Sequence, residues 1–228
     1  MPAPLCKLRD MGVGHLAVGF ASKRWAPQAS LGWLMLAPVF IDLLWSVFVL
    51  SGVERARIVP GITKAMPLDL EYIPISHSLV GALGWSVLLA GAYLVLHGPR
   101  QLRVGVVLFV GVLSHWVLDW VSHRPDLPIL PSGPRVGLGL WNYPLPAFLV
   151  EAGMLAVGLW SYASVTTARS RAGRIGFAVL AIVLLAVNCA AYTSPPPPDI
   201  RAVAAGNISL VLFIWIVYGM DRRRSLAS

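Results

Sequence analysis

Six uninterrupted apolar blocks, near residues 31–51, 75–97, 102–122, 143–165, 173–193 and 205–220, constrain this chain more than anything else in it. A run of about 20 apolar residues matches the thickness of bilayer hydrocarbon. In that medium a lone segment satisfies its backbone groups internally only as a helix. The blocks lack the 3.6-residue alternation of a half-buried soluble helix. They predict an all-α fold, a polytopic transmembrane helical bundle of about six spans forming a single domain over residues 1–228. Only 12% of the residues are charged, about half the share in soluble domains, so no separate soluble domain is expected. Ahead of the first block, residues 11–22 (MGVGHLAVGFAS) are moderately apolar and Gly-rich. They predict an additional N-terminal helix, interfacial or half-inserted.

The net charge of +8 points to the membrane rather than to nucleic acid, because Lys and Arg fall in short clusters between and after the apolar blocks. Six spans place twelve basic residues on one side (Lys7, Arg9, Lys23, Arg24, Arg100, Arg103, Arg169, Arg171, Arg174 and Arg222–Arg224) and six on the other (Arg55, Arg57, Lys64, Arg124, Arg135, Arg201). That asymmetry predicts a multi-pass inner-membrane protein with both termini cytoplasmic. Cys6 and Cys189 are too few and too scattered for a disulfide framework. No removable signal peptide is expected, since the stretch after Lys7 and Arg9 carries His15, Lys23 and Arg24. Residues 123–142 interleave Pro and Gly with apolar residues and predict a fixed cap over one membrane face. Pro195 to Pro198 predict a stiff connector.

Against this background the polar residues inside the spans need a reason, because a charge at mid-helix costs about 2.5–3.5 kcal/mol on insertion scales. Asp42 lies in the middle of the first block and His77 at the start of the second. His115 and Asp119 lie in the third with His123 at its end, and Glu151 lies in the fourth. The alternating direction of the spans puts all six in the non-cytoplasmic half, where they can converge on one cavity. His115, Asp119 and His123 follow at four-residue steps and share a helix face with about 40° of drift per step. His115 and His123 are nonetheless about 12 Å apart along a continuous helix. Either the helix breaks near Ser122, or His123 serves a second ion or the substrate. Imidazole and carboxylate without thiolate suit zinc, manganese or iron, and an open mixed set suits hydrolysis. Ser76 and Ser78 can orient the His77 ring or cap the helix. His97 and Asn188 read as end-of-helix and interhelical residues.

At these positions the sequence resembles the bacterial membrane-bound metal-dependent hydrolases, a family of small polytopic inner-membrane proteins. The matching motifs are GHLAVG with His15, the intramembrane Asp42, the SHS tripeptide with His77, and SHWVLDWVSHRPD with His115, Asp119, His123 and Asp126, all between about residues 11 and 165. In place of the acidic Pro-Asp pair common in that family, Asp42 here follows Phe40 and Ile41. The resemblance implies a metal site of His15, Asp42, His77, His115 and Asp119, with zinc the foremost ion.

The expected activity is hydrolysis of an amphiphilic substrate, a phospholipid or another ester, with membrane lipids as surroundings. Glu151 or Asp126 would be the general base, and His123 or Arg124 would steady the developing anion. Two rivals use the same residues. One is a transporter or channel, which needs polar residues continuing to the cytoplasmic side. The other is a haem- or quinone-binding electron carrier with His77 and His115 as axial ligands.

Overall fold

In the computed structural model, which describes residues 12–227, the apolar blocks are helices. Cys6, Lys7 and Arg9 lie outside the described residues. The short helix α1 (Val13–Ser22) precedes α2 (Leu31–Leu50), α3 (Leu79–His97), α4 (Leu102–Ser122), α5 (Pro144–Val165) and α6 (Arg171–Thr193). The last crossing is made by α7 (Ile200–Ile208) and α8 (Leu210–Asp221), which meet at Ser209. Among the described residues, six helical segments are long and apolar enough to cross a membrane. Side-chain oxygens start four of these helices. Ser30, Ser78, Ser170 and Asp199 accept from backbone N–H groups of α2, α3, α6 and α7 respectively.

Each end of the bundle is finished by short antiparallel pairs. The hairpin of β1 (Arg55–Ile58) and β2 (Leu68–Tyr72) sits at one end with the pair β3 (Leu127–Pro128) and β4 (Arg135–Val136). The pair of β5 (Thr166–Ala168) and β6 (Arg224–Leu226) closes the opposite end. The loop after α4 is tied down as a cap. Leu138 N–H donates to Trp120 O (2.7 Å), Gly139 N–H to His123 O (2.7 Å), and Arg135 to the carbonyls of Leu70 and Glu71.

The bundle interior is apolar, with Leu16, Phe20, Leu34, Met35, Leu108 and Tyr162 buried together. Outward faces carry bare apolar side chains such as Val95, Ile182 and Trp215. In water so large an exposed apolar surface is unfavourable, whereas lipid solvates it.

Helix α1 takes the inserted of its two expected placements. Val13, Leu16, Ala17 and Phe20 are all buried, and ten residues rise about 15 Å, half the hydrocarbon thickness. It lies beside α5, with Gly14 near Met154, Ala17 against Gly158 and Phe20 against Tyr162. A Cβ on Gly158 would stand 2.5 Å from the Ala17 carbonyl oxygen, so only glycine allows this crossing. The helix therefore runs from the hairpin end towards the opposite end.

Two boundaries differ from expectation. The second span starts at Leu79 rather than 75, leaving His77 in a turn. The last starts at Ile200 rather than 205, because Arg201 sits exposed in its first turn at the rim of the bundle and interrupts nothing.

Candidate metal centre

Five elements deliver side chains to one cavity at the hairpin end. Asp42 comes from α2, one turn after Pro38, and His115 and Asp119 come from α4. His77 comes from the turn before α3, His15 from α1 and Glu151 from α5. Gly111, one turn before His115, makes the approach of α4 to α2 possible, since a Cβ there would stand 2.9 Å from the Ala37 Cβ. Helix α4 ends at Ser122 and His123 is extended (φ −71°, ψ 152°). The helix break expected near Ser122 is present, and it turns His123 back towards Asp119.

Each of four imidazoles sets Nδ1 against a protein oxygen and turns Nε2 towards the acidic pair. His115 Nδ1 donates to Pro38 O at 2.8 Å. His77 Nδ1 donates to Ser76 Oγ at 2.7 Å, and that hydroxyl donates to Glu54 Oε2 at 2.5 Å. The other oxygen of Glu54 accepts from the backbone N–H groups of Ile75 and Ser76. His15 Nδ1 lies 3.3 Å from Gly12 O, and His123 Nδ1 lies 3.3 Å from Asp126 Oδ1. An oxygen acceptor at Nδ1 of His115, His77 and His15 fixes the proton there and leaves the Nε2 lone pair free, the orientation that metal-ligating histidines adopt, whereas His123 Nδ1 makes no hydrogen bond.

With both rings neutral and their protons on Nδ1, four lone-pair atoms then face one another. His115 Nε2 is 3.1 Å from Asp119 Oδ2, 3.6 Å from Asp42 Oδ1 and 3.4 Å from His77 Nε2. His77 Nε2 is 3.7 Å from Asp42 Oδ1 and 3.6 Å from Asp119 Oδ2. Bonds of about 2.0–2.1 Å to a tetrahedral zinc set ligand atoms about 3.3–3.4 Å apart. These five separations bracket that edge length, so the two imidazoles fit a tetrahedral ion with either carboxylate in kind and in spacing. Among the described residues, Asp42, His77 and His115 form one group able to hold a metal, and His15, His115 and Asp119 another.

The remaining expected residues surround this core. His15 Nε2 lies 3.3 Å from the other Asp119 oxygen, Oδ1, with His123 Nε2 at 4.0 Å from the same atom. Glu151 lines the cavity beside His15 and faces Tyr192 of α6. Asp126 is buried behind His123 and also pairs with Arg124 Nε at 3.2 Å. Arg124 is held further by Asp69, so it is committed to a bridge between the cap and the hairpin. His97 lies at the opposite end, stacked on Tyr93 at 4.2 Å. Asn188 bonds the Phe148 carbonyl of α5 at 3.5 Å. Ser78 caps α3, while Ser76 holds the His77 ring.

Three participants were not legible in the sequence: Glu54, which is 1% exposed, Asp69, and Asn207 of α7 on the cavity wall. An acid in a polar loop looks solvated until the loop folds over it. The hairpin that buries Glu54 and Asp69 has no apolar run to announce it.

A second polar cluster occupies the opposite end. Lys23 Nζ donates to Asp221 Oδ2 and to Ala29 O, both at 2.8 Å, and Leu31 N–H also reaches Asp221. The Tyr162 hydroxyl donates to Asp221 Oδ1 at 2.8 Å. Arg224 donates to Thr166 and lies over the Tyr162 and Phe177 rings.

The family model described as YdjM inner membrane protein matches residues 74–195. That stretch contains His77, His115, Asp119, His123, Asp126 and Glu151, while His15 and Asp42 precede it. The chain matches no curated protein and no solved structure.

Proposed function

The chain belongs to the YdjM inner membrane protein family, and from that premise we propose that it is a metal-dependent hydrolase of the membrane, acting on a phospholipid or another amphiphilic ester. One observation carries the reading. Two imidazole nitrogens and two carboxylate oxygens meet at 3.1–3.7 Å, with the Nδ1 side of each ring already taken by a protein oxygen. Such a meeting of lone pairs is repulsive unless a cation or an extra proton joins it.

Asp42, His77, His115 and Asp119 would hold a divalent ion, zinc foremost. When bound, that ion supplies acidity to a coordinated water near neutral pH and polarises the scissile group. Glu151, on the cavity wall, takes the proton of the attacking water. Asp126 is a positioning residue that fixes the His123 ring. Lipid is the natural substrate source, because the cavity lies within the half of the bundle that carries the hairpin and cap. The Lys and Arg asymmetry among the described residues is ten against six, which turns the hairpin end away from the cytoplasm.

Two observations speak against the rivals. Buried apolar side chains, among them Leu16, Phe20, Leu34 and Leu108, fill the bundle between the site and the Lys23–Asp221 cluster. Among the described residues no buried charged side chain lies there to carry a permeation path. His77 and His115 Nε2 stand 3.4 Å apart with carboxylates at the same level, which leaves no space for a macrocycle between them.

The test is turnover of a panel of phospholipids and simple esters by purified protein in liposomes, with product followed by mass spectrometry. A chelator should abolish turnover and the ion restore it, and Glu151→Gln should lose most activity with its metal retained. Metal-replete protein that turns over nothing on the panel, while liposomes show metal-dependent solute flux, would hand the site to the transporter reading.

A further inference from the structure

We infer that His15, His123 and Asp119 hold a second divalent cation beside the first, with the Asp119 carboxylate bridging the two. The inference rests on the metal reading of the first cluster and goes beyond it in ion number and in the residues used.

Asp119 is divided between two groups of partners. Its Oδ2 faces His77 and His115 at 3.6 and 3.1 Å, while its Oδ1 faces His15 and His123 at 3.3 and 4.0 Å. A single tetrahedral ion has no use for the second group, since two His and two Asp already fill four positions. Yet the second group repeats the features of the first. His15 also sets Nδ1 against a protein oxygen, His123 Nδ1 lies 3.3 Å from the Asp126 carboxylate without a hydrogen bond, and both turn Nε2 towards Asp119. His15 Nε2 is buried and has no hydrogen-bond partner, although it lies 3.3 Å from a carboxylate oxygen. The His123 side chain is 5% exposed and lines the same cavity.

A carboxylate that offers one oxygen to each of two ions suits the separation of about 3.5–4 Å found in two-metal hydrolytic sites. The two positions would also differ in kind. The first would have four protein ligands and take a water only by expanding its coordination, whereas His15, His123 and Asp119 supply three and leave one position open. Three protein ligands with an open position is the usual make-up of a catalytic rather than a structural ion. The cavity wall beside it carries Glu151.

The second position can be emptied without touching the first. Full-length protein is purified in detergent, stripped with chelator, reloaded by dialysis against zinc and analysed for metal per chain. Wild type should bind two equivalents, and His123→Ala and His15→Ala one each. His77→Ala combined with His123→Ala should bind none. Loading with manganese gives an independent readout, an exchange-coupled pair by electron paramagnetic resonance in wild type and an isolated-ion spectrum in His123→Ala. If His15→Ala fails to insert, wild type and His123→Ala still decide. A single equivalent with an uncoupled spectrum in wild type overturns the second ion and leaves the proposed function standing. Two equivalents retained in His123→Ala also overturn it, and no metal in wild type overturns both.

Discussion

The bundle buries two polar clusters, one at each end of α1, and they are built on opposite principles. At the Lys23 end, donors and acceptors alternate: ammonium, backbone N–H and phenol all donate to Asp221, and Lys23 has a carbonyl as well as the carboxylate. At the His15 end, acceptors meet acceptors. Imidazole lone pairs converge on carboxylate oxygens, and the hydrogens that might have separated them are turned outward to Pro38, Ser76 and Gly12. The first cluster is complete as it stands and holds the helices together. The second is balanced only when a cation or an extra proton joins it. Burial alone therefore does not distinguish a functional polar cluster from a structural one; the sign of the contacts does.

The sharpest test of that contrast is metal content. His115→Ala and Asp119→Ala should each abolish the binding of the first ion while the protein remains inserted, because lipid-facing packing holds the helices. His97→Ala, at the other end, should change nothing. Elemental analysis of detergent-purified protein decides, and full metal in His115→Ala would break the comparison at its centre.

The converse applies to Asp221→Ala, which strands a buried Lys23 charge and should cost about 3–5 kcal/mol in stability, read as a lower thermal midpoint in detergent. The protein that survives should bind metal as wild type does. Replacing the pair together, Lys23→Met with Asp221→Leu, should recover most of the loss, since an apolar pair of similar volume is often neutral in such a site.

Ser76→Ala should act more gently. It removes the hydroxyl that links the His77 ring to Glu54, and loss of a partner behind a ligand lowers metal affinity by about 10–100-fold. Titration with a fluorescent zinc competitor measures this. Unchanged affinity would mean that packing alone orients the ring.

The mildest perturbation tests which end faces outward. A cysteine placed between 124 and 140 should react with a membrane-impermeant thiol reagent in intact cells, and one placed after Arg224 should not. Labelling only after Arg224 would turn the acceptor-rich end to the cytoplasm.

The sequence by itself determined the class of fold and singled out the residues at the centre of the polar cavity. Apolar blocks of bilayer length leave the backbone few options, and a His or Asp within such a block is conspicuous because its burial is already implied. Asp42, His115, Asp119 and Glu151 could be picked out for that reason. The tertiary structure decided what depends on contacts between distant segments. It inserted α1 and so brought His15 to Asp119, placed His77 in a turn, and folded the β1–β2 hairpin over Glu54 and Asp69. It also divided the Asp119 oxygens between two groups of histidines. None of these has a local signature, because a loop acid or a Gly-rich amphiphilic segment reads alike in water and in protein until packing excludes the solvent around it.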